Sequence, residues 1–264
     1  MSEELLINIS PMESRVAVLD NGILGEIYIE RHHKLGLVGN IYLGTVVRVL
    51  PGMQAAFVDI GQSRTAFLHV NDMQRETRPV VEKNKAAKAT KREINEDDAT
   101  ANASADSLAV TPPIVSAQST EIVPASKTLI QHRLHESQRI LVQVTKDQLG
   151  SKGARLTTNI SLPSRYLVYL PSSDHIGISQ RIDGEEERSR LKTELSSLMQ
   201  KVNLKGGLIA RTAAERVPVD KLEEDIYYLL QLWRTICARR QEINHHQSSE
   251  LIYQELSLPL RSIR

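Results

Sequence analysis

Phe57 and Phe67 are the chain's only two phenylalanines, and both interrupt an otherwise regular apolar pattern. In AAFVDIG, Ala56, Val58 and Ile60 share one face of an extended segment, while Phe57 falls with Asp59 on the other. In TAFLHV, Ala66, Leu68 and Val70 share a face, and Phe67 falls with Thr65 and His69. Side chains alternate with period two along a strand, so both rings join the polar side. A ring placed there can receive a nucleic-acid base by stacking, worth roughly 1–3 kcal/mol per base and tolerant of sequence. Alternation alone leaves a second reading open, in which a neighbouring domain or loop covers the rings.

Three other groups of residues could do chemistry. Lys152 stands in a turn, Gly150-Ser151-Lys152-Gly153, where an ammonium can meet a phosphate. As a bare signal a loop lysine means little. Arg211 and Thr212 follow a glycine-introduced strand (GGLIA) and precede a helix. A guanidinium offers two parallel donors to a phosphate and the hydroxyl offers another; on base rates such an Arg-Thr pair is more often part of a surface salt bridge. Asp20, Glu26 and Glu30 read as turn chemistry and a solvated strand face, because no fourth ligand follows at a metal-binding spacing. Arg31-His32-His33-Lys34 reads as a basic surface connector.

The elements that must position these residues are mostly strands. Residues 4–9, 14–20 and 23–30 read as three strands, with Asp20-Asn21-Gly22 as a hairpin turn. Residues 38–70 give three β-rich segments punctuated at Pro51-Gly52 and Gly61-Gln62-Ser63. Residues about 82–127 carry no aromatic and no periodicity, which predicts a disordered insertion too poor in large apolar groups to offset its ordering entropy. Two strands resume in 139–160 and two more in 164–182. Asp183 with Glu186 suggests a capping box for a helix from about Glu185 to Val202. Leu191, Leu195, Leu198 and Val202 are its buried stripe. A second helix is expected from about Pro218 to Arg240, with Leu222, Ile226, Leu229, Trp233 and Ile236 facing inward.

Composition sets limits. The chain's 264 residues leave room for two or three small domains, and a 41% hydrophobic and 25% charged share is that of a globular protein. A formal net charge of +1 means that any nucleic-acid binding comes from a local groove rather than from global attraction. A single cysteine, Cys237, excludes an internal disulfide and a thiolate metal cluster, and fits a reducing cytoplasm. The start, MSEELLINIS, has no signal-peptide character, and no stretch reaches the roughly 18 apolar residues of a membrane span. The expected location is therefore cytoplasmic, with no membrane partner.

The pattern G-x-V-x-x-V-x-P-G-x-x-A-A-F-V-D-I-G-x-x-x-x-A-F-L resembles the RNA-binding OB-fold module named after the largest small-subunit ribosomal protein, in the form found in the ribonuclease E/G family of bacterial endoribonucleases. OB-folds bind oligonucleotides on the strand 2–3 face, which here holds Phe57 and Phe67. GSKGARLTT, PSRYLV and RTAAE are similar to the G branch of that family. The resemblance implies an α+β chain. Its parts would be RNase H-like strands (1–37), an OB-fold barrel (38–160, with the insertion), a 5′-sensor subdomain (161–216), and a helical start of a second RNase H-like segment (217–264). It implies RNA contact by Lys152. It also implies a pocket for an RNA 5′-monophosphate in which Arg211 and Thr212 hold the phosphate, with Val168 and Arg181 beside them. Leu43 stands where relatives usually carry lysine, which implies one weaker phosphate contact, and Gln180 stands where one branch has arginine.

The family cuts RNA in a later domain whose aspartates hold Mg²⁺, followed by a paired-cysteine Zn²⁺ link. The chain reaches Arg264 before either. The expectation is a truncated or fragmentary polypeptide that binds single-stranded RNA and its 5′-monophosphate end without cleaving it, in the context of rRNA processing and mRNA decay. The full-length form is implied as a possible homo-oligomer. A stand-alone RNA-binding or adaptor protein acting through the barrel alone is the alternative. A nuclease using the N-terminal carboxylates is a third, weaker one.

Overall fold

The computed structural model describes residues 2–74, 129–243 and 248–263, so the insertion expected at 82–127 lies outside the described residues. The chain opens with β1 (Glu3–Ile9), β2 (Glu13–Asp20) and β3 (Ile23–Arg31), an antiparallel sheet in the order β1-β2-β3. Asn21 and Gly22 turn the second hairpin with φ of 50° and 78°, the left-handed backbone that Asn and Gly tolerate. Apolar side chains of this sheet stay at the surface, Leu6 at 57% and Ile27 at 58% exposure, so it contributes little to the core.

The next strands are β4 (Ile41–Leu50), β5 (Ala55–Asp59), β6 (Ala66–His69), β7 (Arg139–Lys146) and β8 (Arg155–Thr157). They pair in the order β4-β5-β6-β8-β7, and β4 pairs back onto β7, closing a five-stranded barrel. Closure depends on β4 being long enough to serve two partners: its first half pairs with β7 and its second with β5. The inward residues are those that alternation selects. Ala56, Val58, Ala66, Leu68, Val142, Val144 and Leu156 are fully or almost fully buried in one cluster.

A second sheet follows, from β9 (Leu162–Pro163), β10 (Leu167–Leu170), β11 (Ile176–Ile178) and, after helix α1 (Glu185–Lys201), β12 (Gly207–Ala210). Its order is β11-β12-β10-β9, with β12 antiparallel to β10 and parallel to β11. Leu191, Leu195 and Leu198 of α1 are buried against it, as their spacing predicts. Helix α2 (Val219–Ile243) adds Leu222, Ile226, Leu229 and Ile236, with Trp233 partly buried beside them. Last come β13 (Glu250–Tyr253), which pairs with β4, and α3 (Leu258–Ile263).

One expectation needs correction. Gly184, with φ of 91°, is the N-cap of α1 and no side chain caps the helix, so Asp183 does not form the expected capping box. Stabilisation of that end comes instead from three acidic residues in the first turn, Glu185 to Glu187, placed against the positive end of the helix dipole. Leu43 of β4 is 1% exposed, in the core cluster that also holds residues of α1 and α2.

Candidate functional site

The barrel presents the two phenylalanines together. Phe57 and Phe67 are directly opposite each other on β5 and β6, with ring centroids 6.2 Å apart in an edge-to-face arrangement. Both are half-buried, while Ala56, Val58, Ala66 and Leu68 beside them are fully buried. His69 extends the surface along β6, its ring stacked on Phe67 at 6.4 Å. The Asn71 backbone N–H donates to His69 Nδ1 at 3.2 Å, which fixes the imidazole plane. The outward face of β5 and β6 is therefore a small aromatic platform.

Lys152 lies in the turn between β7 and β8. A tight turn closes by reciprocal backbone hydrogen bonds between Leu149 and Lys152, at 3.0 and 3.2 Å. Arg64 Nη1, in the β5–β6 turn, donates to the Gly150 carbonyl and ties the two turns together. Gly153 must be glycine, because a Cβ there would overlap the Thr65 carbonyl oxygen. That close approach sets β8 beside β6, where Phe67 N–H donates to Ala154 O at 2.7 Å. Lys152 itself is exposed.

The second candidate group sits at one end of the β11-β12-β10-β9 sheet. Arg211 continues β12, its backbone N–H donating to Tyr166 O at 2.8 Å, and Thr212 begins a short 3₁₀ turn, Thr212–Ala214. Val168 is opposite Ile209, so it shares a sheet face with Arg211 two residues further along. Arg181 is exposed in the turn after β11, where Ile182 N–H donates to Ser179 O at 3.2 Å. Arg211 makes no ion pair among the described residues. Its Nη1 donates to the carbonyls of Ser164 and Arg165, which leaves the Nε–Nη2 edge open for a second partner.

Three residues that hold this arrangement gave no sequence signal. Asp225 of α2 accepts from Ser164 Oγ at 2.5 Å and from the backbone N–H groups of Tyr166 and Leu167 at 3.0 Å each. It thereby fixes the turn whose carbonyls hold Arg211. Arg188 Nη1 donates to Ser179 O at 2.7 Å and Ile182 O at 3.3 Å, fixing the turn that carries Arg181. Glu187 accepts from Arg190 and, at 2.8 Å, from the backbone N–H of Arg216 just beyond the Thr212 turn. The hydrogen bond from Arg190, and then that from Arg216, lowers the Glu187 carboxyl to about 2. A serine or aspartate contacting residues about sixty positions away leaves no local pattern.

Comparison with known proteins decides the relationship. Residues 161–264 match the ribonuclease E/G family. The whole chain is 42% identical over 264 residues to ribonuclease G of Salmonella typhimurium (strain SL1344). The chain carries a ribonuclease E/G family domain. Ribonuclease G of Haemophilus influenzae is 40% identical over 261 residues, and ribonuclease E of the same organism is 33% identical over 264. The chain spans 45% of the length of the Salmonella ribonuclease G and 23% of that ribonuclease E.

The metals implied for the full-length family enzyme, Mg²⁺ and Zn²⁺, find no fit in the described residues. Among the described residues no group of three or more His, Cys, Asp or Glu is gathered to hold an ion. Glu30 instead accepts from Leu258 N–H at 2.9 Å and pairs with Arg261, fastening α3 to the N-terminal sheet. Tyr28 O–H donates to Glu26. Cys237 is a free thiol, pushed up by burial. No described helix is long and apolar enough to cross a membrane.

Proposed function

We propose that this chain binds single-stranded RNA and recognises a 5′-monophosphate end, as the RNA-engaging part of a ribonuclease G-like endoribonuclease of rRNA processing and mRNA decay. The observation that carries the reading is the paired presentation of Phe57 and Phe67 on the outside of a closed five-stranded barrel. Aromatic faces of this kind stack bases without reading sequence, and a small barrel exposing them is the oligonucleotide-binding arrangement. Kinship with ribonuclease G supports RNA as the partner.

The end-recognition part rests on Arg211. Its open Nε–Nη2 edge suits bidentate contact with a phosphate, and the Thr212 hydroxyl next to it adds a donor. A monophosphate is charge-paired there and a 5′-hydroxyl is not. No hydrolytic step is assigned to the described residues.

The test is fluorescence anisotropy with a short RNA labelled at its 3′ end and carrying either a 5′-phosphate or a 5′-hydroxyl. A charge-assisted contact of roughly 1.5–3 kcal/mol predicts about 10- to 100-fold tighter binding of the phosphorylated strand. Arg211→Ala abolishes the difference while leaving binding of the hydroxyl strand unchanged. Equal affinities in the unmodified protein would leave an RNA-binding protein that works through the barrel alone.

A further inference from the structure

The two rings do not stand alone on the barrel. In the strand registers, Arg48 of β4 is opposite Phe57, Phe57 is opposite Phe67, and Phe67 is opposite Arg155 of β8. Residues directly opposite each other share a face, so four adjacent strands contribute one outward side chain each, in the order cation, ring, ring, cation. The inward neighbours confirm the parity: Leu156 of β8 and Leu68 of β6 are fully buried in the barrel. At a strand spacing of about 4.8 Å the row extends roughly 14 Å along the curved surface.

We propose that this row is the nucleotide track of the barrel. A single strand crosses β4, β5, β6 and β8 transversely, its bases on Phe57 and Phe67 and its phosphates on Arg48 and Arg155. The proposal rests on the RNA-binding reading above and deepens it by naming the groups that meet the backbone. Arg48 is exposed and has no hydrogen bond or ion pair among the described residues, so its donors are open to a phosphate. Arg155 is held rather than loose. Its Nε and Nη2 both reach Asp72 Oδ2, at 2.9 and 2.8 Å, which fixes the guanidinium and leaves Nη1 outside that pair.

The acidic residues near the row do not oppose it. Asp72 is neutralised by Arg155. Asp59, which shares the face of Phe57, is occupied at its turn. It accepts from Gly61 N–H at 2.9 Å and from Ser249 Oγ at 3.1 Å, drawing the carboxylate away from the rings. A stacking centre flanked by cations on both sides places charge where the backbone of a stacked strand must pass.

Salt titration tests the row directly. Binding of a 3′-labelled oligouridylate with a 5′-hydroxyl is measured by anisotropy across a range of KCl concentrations. For single strands each neutralised phosphate contributes about 0.7 to the slope of log affinity against log salt. Arg48→Ala is expected to reduce that slope by about 0.7 while Arg48→Lys retains it, and Arg155→Ala, whose charge Asp72 partly offsets, is expected to reduce it by less. Phe57→Ala weakens binding with the slope unchanged, which separates stacking from phosphate contact. Circular dichroism melts confirm that Arg155→Ala, which also frees Asp72, remains folded; Arg48→Ala breaks no contact and reports even if it does not. An unchanged slope in either arginine variant, with Phe57→Ala still weakened, overturns the row and leaves the RNA-binding reading intact. If Phe57→Ala has no effect either, the RNA-binding reading falls with it.

Discussion

Arg211 shows how much of a site a single side chain can carry and how much its surroundings decide. Its Nη1 is committed to two backbone carbonyls, so the guanidinium cannot swing and one edge is held outward. Lysine at this position would keep the charge but lose both the anchoring bonds and the two parallel donors. Arg211→Lys is therefore expected to lose most of the 5′-phosphate preference, within a few-fold of Arg211→Ala in the same anisotropy assay; full retention of preference would show that charge alone suffices. The phenylalanines were legible in the sequence because strand alternation is local and has period two. The carbonyl partners of Arg211 were not, since they come from residues 47 and 46 positions away.

At the scale of elements, the first turn of α1 clamps the segment that follows the Arg211–Thr212 pair. Glu187 receives Arg190 from its own helix and the Arg216 backbone N–H from that segment, and Arg190 reaches Val217 O at 3.4 Å. The hydrogen bonds from Arg190 and then Arg216 hold the folded carboxyl down to about 2 from its ordinary 4.5. A depressed folded value stabilises the protein above the unfolded value, and that contribution is lost as pH falls from about 4.5 towards 2. Glu187→Gln is expected to unfold with a shallower dependence on pH across that window, read from thermal melts at successive pH values; an unaltered dependence would remove the clamp. The helix itself was predictable, because leucines at helical spacing mark its buried stripe. Its cap was not, because Gly184 takes a left-handed φ where Asp183 supplies no hydrogen bond.

Across the described residues, β4 ties the closed five-stranded barrel to a second sheet backed by two helices. One face of β4 sends Tyr42 and Val46 into the barrel, and the other sends Ile41 and Leu43 into the core under α1 and α2. Barrel closure by the strands that resume at 139–160 was implied by the OB-fold resemblance rather than by their own pattern, since their partner β4 lies about a hundred residues earlier. The pairing of β13 with β4 was not legible, since a four-residue strand carries too little pattern to specify a partner. With a net charge of only +1, global attraction adds little, so the proposed RNA binding is expected to rest on the local row of rings and cations. The most direct measurement is the affinity of the Phe57→Ala/Phe67→Ala double variant for a 5′-hydroxyl single strand at fixed salt, with its fold verified by circular dichroism. At roughly 1 kcal/mol or more per ring, binding is predicted to weaken by about 30-fold or more; a folded double variant that binds as tightly as the unmodified chain would contradict the account.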